Sequence, residues 1–143
     1  MLVSQILKDK GDTVFTASPH ETVAAAAALL HSRKVGAMVI VDAAGKVVGI
    51  LSERDIVRVV AEKGAAGLTQ PISGCMSSKV IFAGPGETVA TLLERMTDRR
   101  IRHLPVIKDG RLMGIISIGD LVKSKIAETE AEAENLKAYI TAG

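Results

Sequence analysis

The sequence predicts an α+β fold made of two similar β-α-β-β-α units, packed face to face about a pseudo-two-fold axis. Three observations predict it. A stretch of the form Gly-apolar-apolar-Ser-x-x-Asp occurs twice, beginning at Gly49 and at Gly114, 65 residues apart. The segments around the two copies align at offsets of 65 or 66 residues, with one residue lost in a hairpin turn. The sheet predicted for each half is small and has one face to bury, so we expect the halves to pack together.

The first unit is predicted over residues 1–65 and includes a short N-terminal helix. Apolar residues at helical spacing predict this helix over 2–8, and Thr13 to Thr16 predict a short strand. An alanine-rich segment predicts a helix over 22–32. Apolar runs at 37–41 and 47–51, separated by a turn, predict a hairpin. A helix is then expected from Ser52 to about Lys63.

The second unit is predicted over residues 66–125 and repeats this order after a connector at 64–74. The predicted elements are a strand at 80–82, a helix at 88–98 and a hairpin over 103–116. Ser117 is expected to begin a last helix that continues to about Tyr139, so that 126–143 form an acidic helix or tail. Its residues Leu136, Tyr139 and Ile140 have helical spacing and either pack on a partner subunit or remain solvated.

Composition limits the functions that the chain can have. Its 143 residues are 48% hydrophobic, enough to build a core, but only 2% aromatic, with no Trp. Base-stacking platforms for single-stranded nucleic acid are therefore nearly excluded. Six basic and two acidic residues lie between Arg95 and Arg111. This cluster either holds phosphates or is a solvated face, and the small net charge of +2 argues against nucleic acid as a partner.

We expect neither an enzyme nor a metalloprotein. No nucleophile–base pair or metal-ligand spacing is recognisable, so no catalytic or metal-binding residue is predicted. Cys75 is the only cysteine and is expected to be a packing residue, while His20 and His31 are expected at the surface. The longest apolar run, Val23 to Leu30, is too short to span a membrane. A soluble cytoplasmic protein with no membrane partner is the expectation.

The repeated stretch predicts a strand that ends at a helix N-terminus, with a specific chemistry. Ser52 and Ser117 are expected to be N-caps, and Asp55 and Asp120 then lie in the first helical turn. A carboxylate there can accept hydrogen bonds from both hydroxyls of a ribose, while the serine hydroxyl and free N–H groups suit a phosphate. The alternative is a capping box, in which the acid only reaches back to the cap N–H.

The residues that carry the repeat resemble a known family. Gly-Ile-Leu-Ser-Glu-Arg-Asp from Gly49, and Arg-His-Leu-Pro-Val followed by Gly-Ile-Ile-Ser-Ile-Gly-Asp from Gly114, are similar to a tandem pair of CBS domains, or Bateman module. Such modules regulate inosine monophosphate dehydrogenase, cystathionine β-synthase and AMP-activated protein kinase. The resemblance covers residues 1 to about 125. It implies that AMP, ADP, ATP, S-adenosylmethionine or NAD binds in clefts between the units, and that the chain forms a homodimer.

The resemblance also assigns site residues. It places the aspartates on the ribose and the serines near the phosphates, and it matches Arg102 and His103 to phosphate-contacting positions. Arg54 provides a cation at the first strand-to-helix corner, residues 52–55, whereas the second corner, residues 117–120, has Gly119 at this position, so the clefts need not be equal. The adenine slot of the Asp55 cleft would comprise Ile50, Val80, Ile81 and Ile101. That of the Asp120 cleft would comprise Val14, Phe15, Val35, Gly36 and Ile115. The alternatives are ordinary core packing for the slots and a structural role for His103 at the strand start.

The leading functional hypothesis is a regulatory sensor of adenine nucleotides, AMP, ADP, ATP or NAD, that acts on an unidentified protein partner. The nucleotide would be a ligand, and no catalytic cofactor is expected. The alternative is a ligand-free dimerisation or protein-interaction module, in which Asp55 and Asp120 only cap helices.

Overall fold

The computed structural model describes residues 1–11 and 14–142, and the α+β class predicted from the sequence is confirmed. The described residues form five α-helices and five strands, with two 3-10 segments, Gly64–Thr69 and Ile72–Gly74, between the third and fourth helices. In chain order the elements are α1 (Val3–Lys10), β1 (Thr16–Ala17), α2 (Val23–Arg33), β2 (Ala37–Val41), β3 (Val47–Ser52), α3 (Glu53–Lys63), α4 (Val89–Arg99), β4 (His103–Lys108), β5 (Arg111–Ser117) and α5 (Ile118–Ala142).

The chain divides into two compact units whose bounds differ from the predicted ones. The central unit is Thr13–Ile81, and the terminal unit combines Met1–Asp12 with Phe82–Gly143. The N-terminal helix, predicted as part of the first unit, therefore belongs with the second repeat. Residues 66–81, predicted as part of the second unit, belong with the first.

This exchange arises because a segment from outside each repeat packs against it: α1 packs against the second repeat, and the 3-10 segment Ile72–Gly74 packs against the first. We call these two the lead segments. In the terminal unit, the Val3 N–H donates to the Glu87 carbonyl at 3.0 Å. In the central unit, the Ile72 N–H donates to the Glu21 carbonyl at 2.8 Å. Val3 and Ile72 are both fully buried, and Glu21 and Glu87 are 66 residues apart in sequence. Each lead segment therefore contributes a buried side chain and a backbone hydrogen bond to the repeat that it completes.

The central unit has a three-stranded sheet in the order β1-β2-β3. β1 pairs with β2 in parallel, and β2 pairs with β3 antiparallel. The strand predicted over 13–16 is present only as Thr16–Ala17, and Thr13 lies outside the described residues. The core of this unit consists of Ala17, Val23, Ala26, Leu30, Met38, Ile40, Leu51, Val59, Ile72 and Cys75.

The terminal unit has a two-stranded antiparallel sheet, β4-β5. The strand predicted at 80–82 is wrong, because those residues are not in a strand. Ala83 alone makes the sheet contact: its N–H donates to the Pro105 carbonyl at 2.9 Å, and its carbonyl accepts from Ile107 at 3.0 Å. The turn at Pro85 follows at once and prevents a longer strand.

Helix ends confirm the repeat at atomic detail. Thr22 and Thr88 cap α2 and α4, each accepting a hydrogen bond from the N–H three residues later, at 3.1 Å and 3.2 Å. Lys34 and Arg100 end the same helices in the left-handed conformation, both with φ of 55°. Both pairs are separated by 66 residues, so two helices of different sequence begin and end in the same way.

The last helix, α5, extends over 25 residues, and the predicted acidic tail is its continuation. Near its start, Leu121 and Ser124 are buried. From residue 129 to residue 142 every described residue is exposed, and Gly143 lies outside the described residues. The helix therefore has a packed first third and an exposed remainder.

Candidate functional site

The first candidate site is the strand-to-helix corner at Asp55, where Ser52 ends β3 and caps α3. The Asp55 Oδ2 atom accepts from the Ser52 N–H at 2.9 Å and from its hydroxyl at 3.2 Å. The Asp55 N–H donates back to the Ser52 Oγ at 3.4 Å. The Asp55 side chain is only 13% exposed. The capping box of the sequence alternative therefore forms, and it holds the carboxylate in a fixed position.

Arg58 is the cation of this Asp55 corner. Its Nη2 atom lies 3.0 Å from the Asp55 Oδ1 and 3.2 Å from the Cys75 carbonyl, to which it also donates. Its spacing of three residues after Asp55 was the available sequence signal, and it was missed. Arg54, the predicted cation, is exposed and makes no hydrogen bond or ion pair with any residue that the structure describes. The helical periodicity explains this, since positions one apart point in different directions.

The second candidate site is the equivalent corner at Asp120, where Ser117 ends β5. The Asp120 Oδ2 atom accepts from the Ser117 N–H at 2.8 Å, and the Asp120 N–H donates to the Ser117 Oγ at 3.1 Å. Lys10 of α1 adds a cation, with its Nζ 2.7 Å from the same Oδ2 and 2.8 Å from the Ile115 carbonyl. The Ser117 N–H and the Lys10 Nζ thus reach the same oxygen, Oδ2.

Lys10 determines the electrostatics of the Asp120 corner. Burial alone would raise the pKa of the Asp120 carboxyl, but hydrogen bonds from Lys10 and from the Ser117 backbone hold it below its ordinary value. The prediction that only the first corner carries a cation is therefore wrong. Sequence reasoning missed Lys10 because it lies 110 residues from Asp120 and in the segment assigned to the other unit.

Together the two corners offer the same chemistry with different cations. Each presents a carboxylate whose position is set by a backbone N–H, beside a helix N-terminus and a basic side chain. At Asp120 the Ser117 N–H and Lys10 both meet one oxygen, Oδ2. At Asp55 the second oxygen is held by Arg58, whose side chain is 52% exposed, so that contact is exchangeable with a competing donor.

The predicted site residues fall into two sets, one in each unit. The central unit contains Val14, Phe15, Val35, Gly36, Ile50, Ser52, Arg54, Asp55, Val80 and Ile81. The terminal unit contains Ile101, Arg102, His103, Ile115, Ser117 and Asp120. Ile50, Val80 and Ile81 thus share a unit with Asp55, and Ile115 shares one with Asp120.

Three predicted residues adjoin the corners through the backbone. The Gly36 carbonyl accepts from the first N–H of α3 at 3.0 Å, and the Arg102 carbonyl accepts from the first N–H of α5 at 2.8 Å. His103 is directly opposite Ser117 in the β4–β5 register. Gly36, which was assigned to the Asp120 slot, therefore adjoins the Asp55 corner.

The remaining slot residues are half-buried. The Arg33 guanidinium lies 4.9 Å from the centre of the Phe15 ring, a cation–π contact that covers one face of that ring. Ile50 exchanges two backbone hydrogen bonds with Ser77, both at 3.0 Å. Val80 and Ile81 follow in irregular chain.

Other chemistry is not evident in the part of the chain that the structure describes. No group of three potential metal ligands occurs there, and no described helix has the length and hydrophobicity needed to cross a bilayer. Cys75 is buried; burial and the Asp55 charge raise its thiol pKa, more than Arg58 and Lys63 lower it. Cys75 is therefore an unreactive packing residue, as predicted.

Comparisons with known proteins agree with this geometry. A family model of the CBS domain matches the chain twice, at residues 3–62 and 72–126. The crystal structure of the CBS-domain protein ATU1752 from Agrobacterium tumefaciens is 46% identical, with a TM-score of 0.85 over 87% of this chain and 92% of that one.

Two further solved neighbours are ligand complexes. The CBS domain pair of protein MJ0100, with 5′-methylthioadenosine and S-adenosyl-L-methionine, is 28% identical with a TM-score of 0.80, over 90% of this chain and 98% of its own. PAE2072 from Pyrobaculum aerophilum, complexed with AMP, is 28% identical with a TM-score of 0.75, over 84% and 89%. By its repeat, its two corners and these matches, the chain belongs to the CBS-domain family and carries two CBS domains in tandem.

Proposed function

We propose that this protein is a regulatory module that binds an adenine nucleotide, AMP, ADP, ATP or NAD, at the Asp55 and Asp120 corners. The observation that carries the proposal is the duplication of one constellation: an N-cap serine, a fixed carboxylate and a cation at a strand-to-helix corner. The ligands of MJ0100 and PAE2072, which are all adenosine derivatives, support the choice of ligand class.

In this proposal, the two carboxylates hold the ribose. The Oδ1 atom of Asp120 accepts a ribose hydroxyl, while at Asp55 a ribose hydroxyl displaces Arg58. The helix N-terminus and the serine hydroxyl then favour a phosphate on the same side. The residues named for the adenine slots, and Arg102 and His103 for the phosphates, belong to the proposal.

The cations at both corners favour phosphorylated ligands. Lys10 lies within 2.7 Å of the Asp120 carboxylate, and Arg58 within 3.0 Å of that of Asp55. A nucleoside phosphate places negative charge near these groups, whereas the sulfonium of S-adenosylmethionine is positive. We therefore place AMP or ATP ahead of S-adenosylmethionine for this chain. Regulation requires that the nucleotide bind two conformations of the protein with different affinities, one of which a partner protein recognises.

Calorimetry on nucleotide-stripped protein tests the proposal. AMP, ATP, NAD and S-adenosylmethionine are titrated into the native chain and into Asp55→Asn and Asp120→Asn, since asparagine keeps an oxygen for the cap N–H. Each variant should weaken one site about tenfold or more. Asp98→Asn, an exposed change in α4, is the control. Unchanged affinity and stoichiometry in both variants would refute the ribose assignment.

The ligand-free interaction module is the second candidate function. The observation that favours it is that the protein itself already provides hydrogen-bond partners to both carboxylates, through the caps, Arg58 and Lys10. Titrations without heat, combined with unchanged unfolding temperature for every nucleotide, would support this alternative.

A further inference from the structure

We propose that the exposed part of α5 forms a parallel two-stranded coiled coil with α5 of a second copy of this chain. The surface concerned is a stripe along the helix, here called the α5 stripe. It consists of Val122, Ile126, Thr129, Ala133, Leu136 and Ile140. The spacings along it are four, three, four, three and four residues, which is the alternation of the a and d positions of a heptad repeat.

The large side chains of the α5 stripe are exposed in the single chain. Val122 is 45% exposed, Ile126 53%, Leu136 60% and Ile140 68%, a large apolar exposure for one helix. With about 100° of rotation per residue, the stripe is centred roughly 100° around the helix from Leu121, which is buried against the terminal unit. The packed face and the stripe are therefore distinct surfaces.

The length of the exposed helix also favours a partner. Residues 129–142 continue the helix with no buried residue among them. A segment of this length is marginally helical in water by itself, because most helical stability comes from packing an apolar face. The small side chains of Thr129 and Ala133 provide little apolar contact area at the centre of the stripe, whereas the larger Leu136 and Ile140 lie at its end.

The charges that flank the stripe select a parallel pair of copies. In a parallel dimer each g position faces the e position five residues later on the other helix. Lys125 then faces Glu130, and Glu132 faces Lys137, so that both pairs are of opposite charge. Each pair occurs twice by symmetry, which gives four attractive contacts.

An antiparallel pair over the same stripe has the opposite result. Aligning Ile126 with Leu136 of the other copy places e positions opposite e positions and g positions opposite g positions. Glu130 then faces Glu130 of the other copy, Glu132 faces Glu132, and Lys123 faces Lys137. These like-charge pairs disfavour that arrangement. An antiparallel pair shifted by one heptad gains two Glu130–Lys137 contacts but leaves Val122 and Ile126 uncovered, so the occupant that fits the whole stripe is a second copy in parallel register.

Disulfide formation tests the register directly. In a parallel pair each residue of the stripe faces itself, so Ala133→Cys should form a disulfide-linked dimer in a glutathione redox buffer. Ala131→Cys, two residues away on the outer side of the helix, should not. The native chain controls for Cys75, which is buried. Absence of the linked dimer in Ala133→Cys, or equal yields at both positions, would overturn the proposal.

A charge exchange tests the ion pairs in the Ala133→Cys background. Glu132→Lys should lower the effective concentration of one introduced thiol at the other, measured from the disulfide equilibrium with glutathione, about tenfold. Adding Lys137→Glu should restore it. Ala131→Lys, which adds a cation on the outer side of the helix, is the control and should leave it unchanged. If Glu132→Lys and Ala131→Lys have the same effect, the parallel pairing is wrong. Neither experiment depends on nucleotide binding, so a failure here leaves the proposed function untouched.

Discussion

Replacing Lys10 by methionine removes the cation of the Asp120 corner and retains most of the aliphatic side chain. The ammonium donates to the Asp120 carboxylate at 2.7 Å and to the Ile115 carbonyl at 2.8 Å. The substitution therefore removes two hydrogen bonds, one of which is also an ion pair, that join α1 to the end of β5 and the start of α5. Lys8→Met, in the same helical turn but with an exposed side chain, is the matched control.

The magnitude follows from the exposure of the two side chains, 35% for Lys10 and 23% for Asp120. A fully exposed ion pair contributes about 0–1 kcal/mol, whereas a hydrogen bond to a buried charge contributes about 1.5–3 kcal/mol. The Lys10 pair lies between these limits. We expect Lys10→Met to lower the free energy of unfolding by about 1 kcal/mol at neutral pH, and Lys8→Met to leave it unchanged.

The loss should also depend on pH in a defined direction. The folded state holds the pKa of Asp120 below its ordinary value, so the ionised carboxylate contributes stability above the unfolded pKa. That contribution disappears as the pH falls through the folded pKa. Urea unfolding followed by far-UV circular dichroism should therefore show the stability difference between native protein and Lys10→Met narrowing in acid, since only the hydrogen bond to the Ile115 carbonyl remains there. A Lys10→Met variant as stable as Lys8→Met at neutral pH, or a difference that does not narrow in acid, would refute the reasoning.

Two further predictions concern stability. A Cβ at Gly49 would lie 3.0 Å from the Ser77 carbonyl oxygen, whereas a Cβ at Gly114 would meet only the Leu7 side chain, at 2.6 Å. In urea unfolding, Gly49→Ala should therefore lower the free energy of unfolding by about 2–3 kcal/mol and Gly114→Ala by about 1 kcal/mol. The reversed order would contradict this reasoning. The hydrogen bond from Arg95 lowers the pKa of Glu87. Glu87→Gln should therefore destabilise the protein by about 1 kcal/mol at neutral pH, with the loss vanishing as the pH falls through the folded pKa, as acid titration of the unfolding midpoint will show.

Much of the fold was predictable because its signals are local. Apolar runs and turn residues located β2 and β3 to within a residue, and Ser52 was correctly predicted as the cap of α3. The prediction of a strand at 80–82 was wrong because an apolar run does not show whether a neighbouring strand is available to pair with it. Only Ala83 finds one, next to a turn.

The sequence by itself determined the duplication, the α+β class and the two Ser–Asp corners, since each follows from residues within a few positions of one another. The tertiary structure decided which lead segment completes each repeat and which cation meets each carboxylate. Lys10 reaches Asp120 across 110 residues because α1 buries Val3 in the terminal unit, whereas Arg58 reaches Asp55 within one helical turn. Burial depends on shape and on the whole chain, so periodicity identifies the side chains that must be buried but not the partners against which they pack.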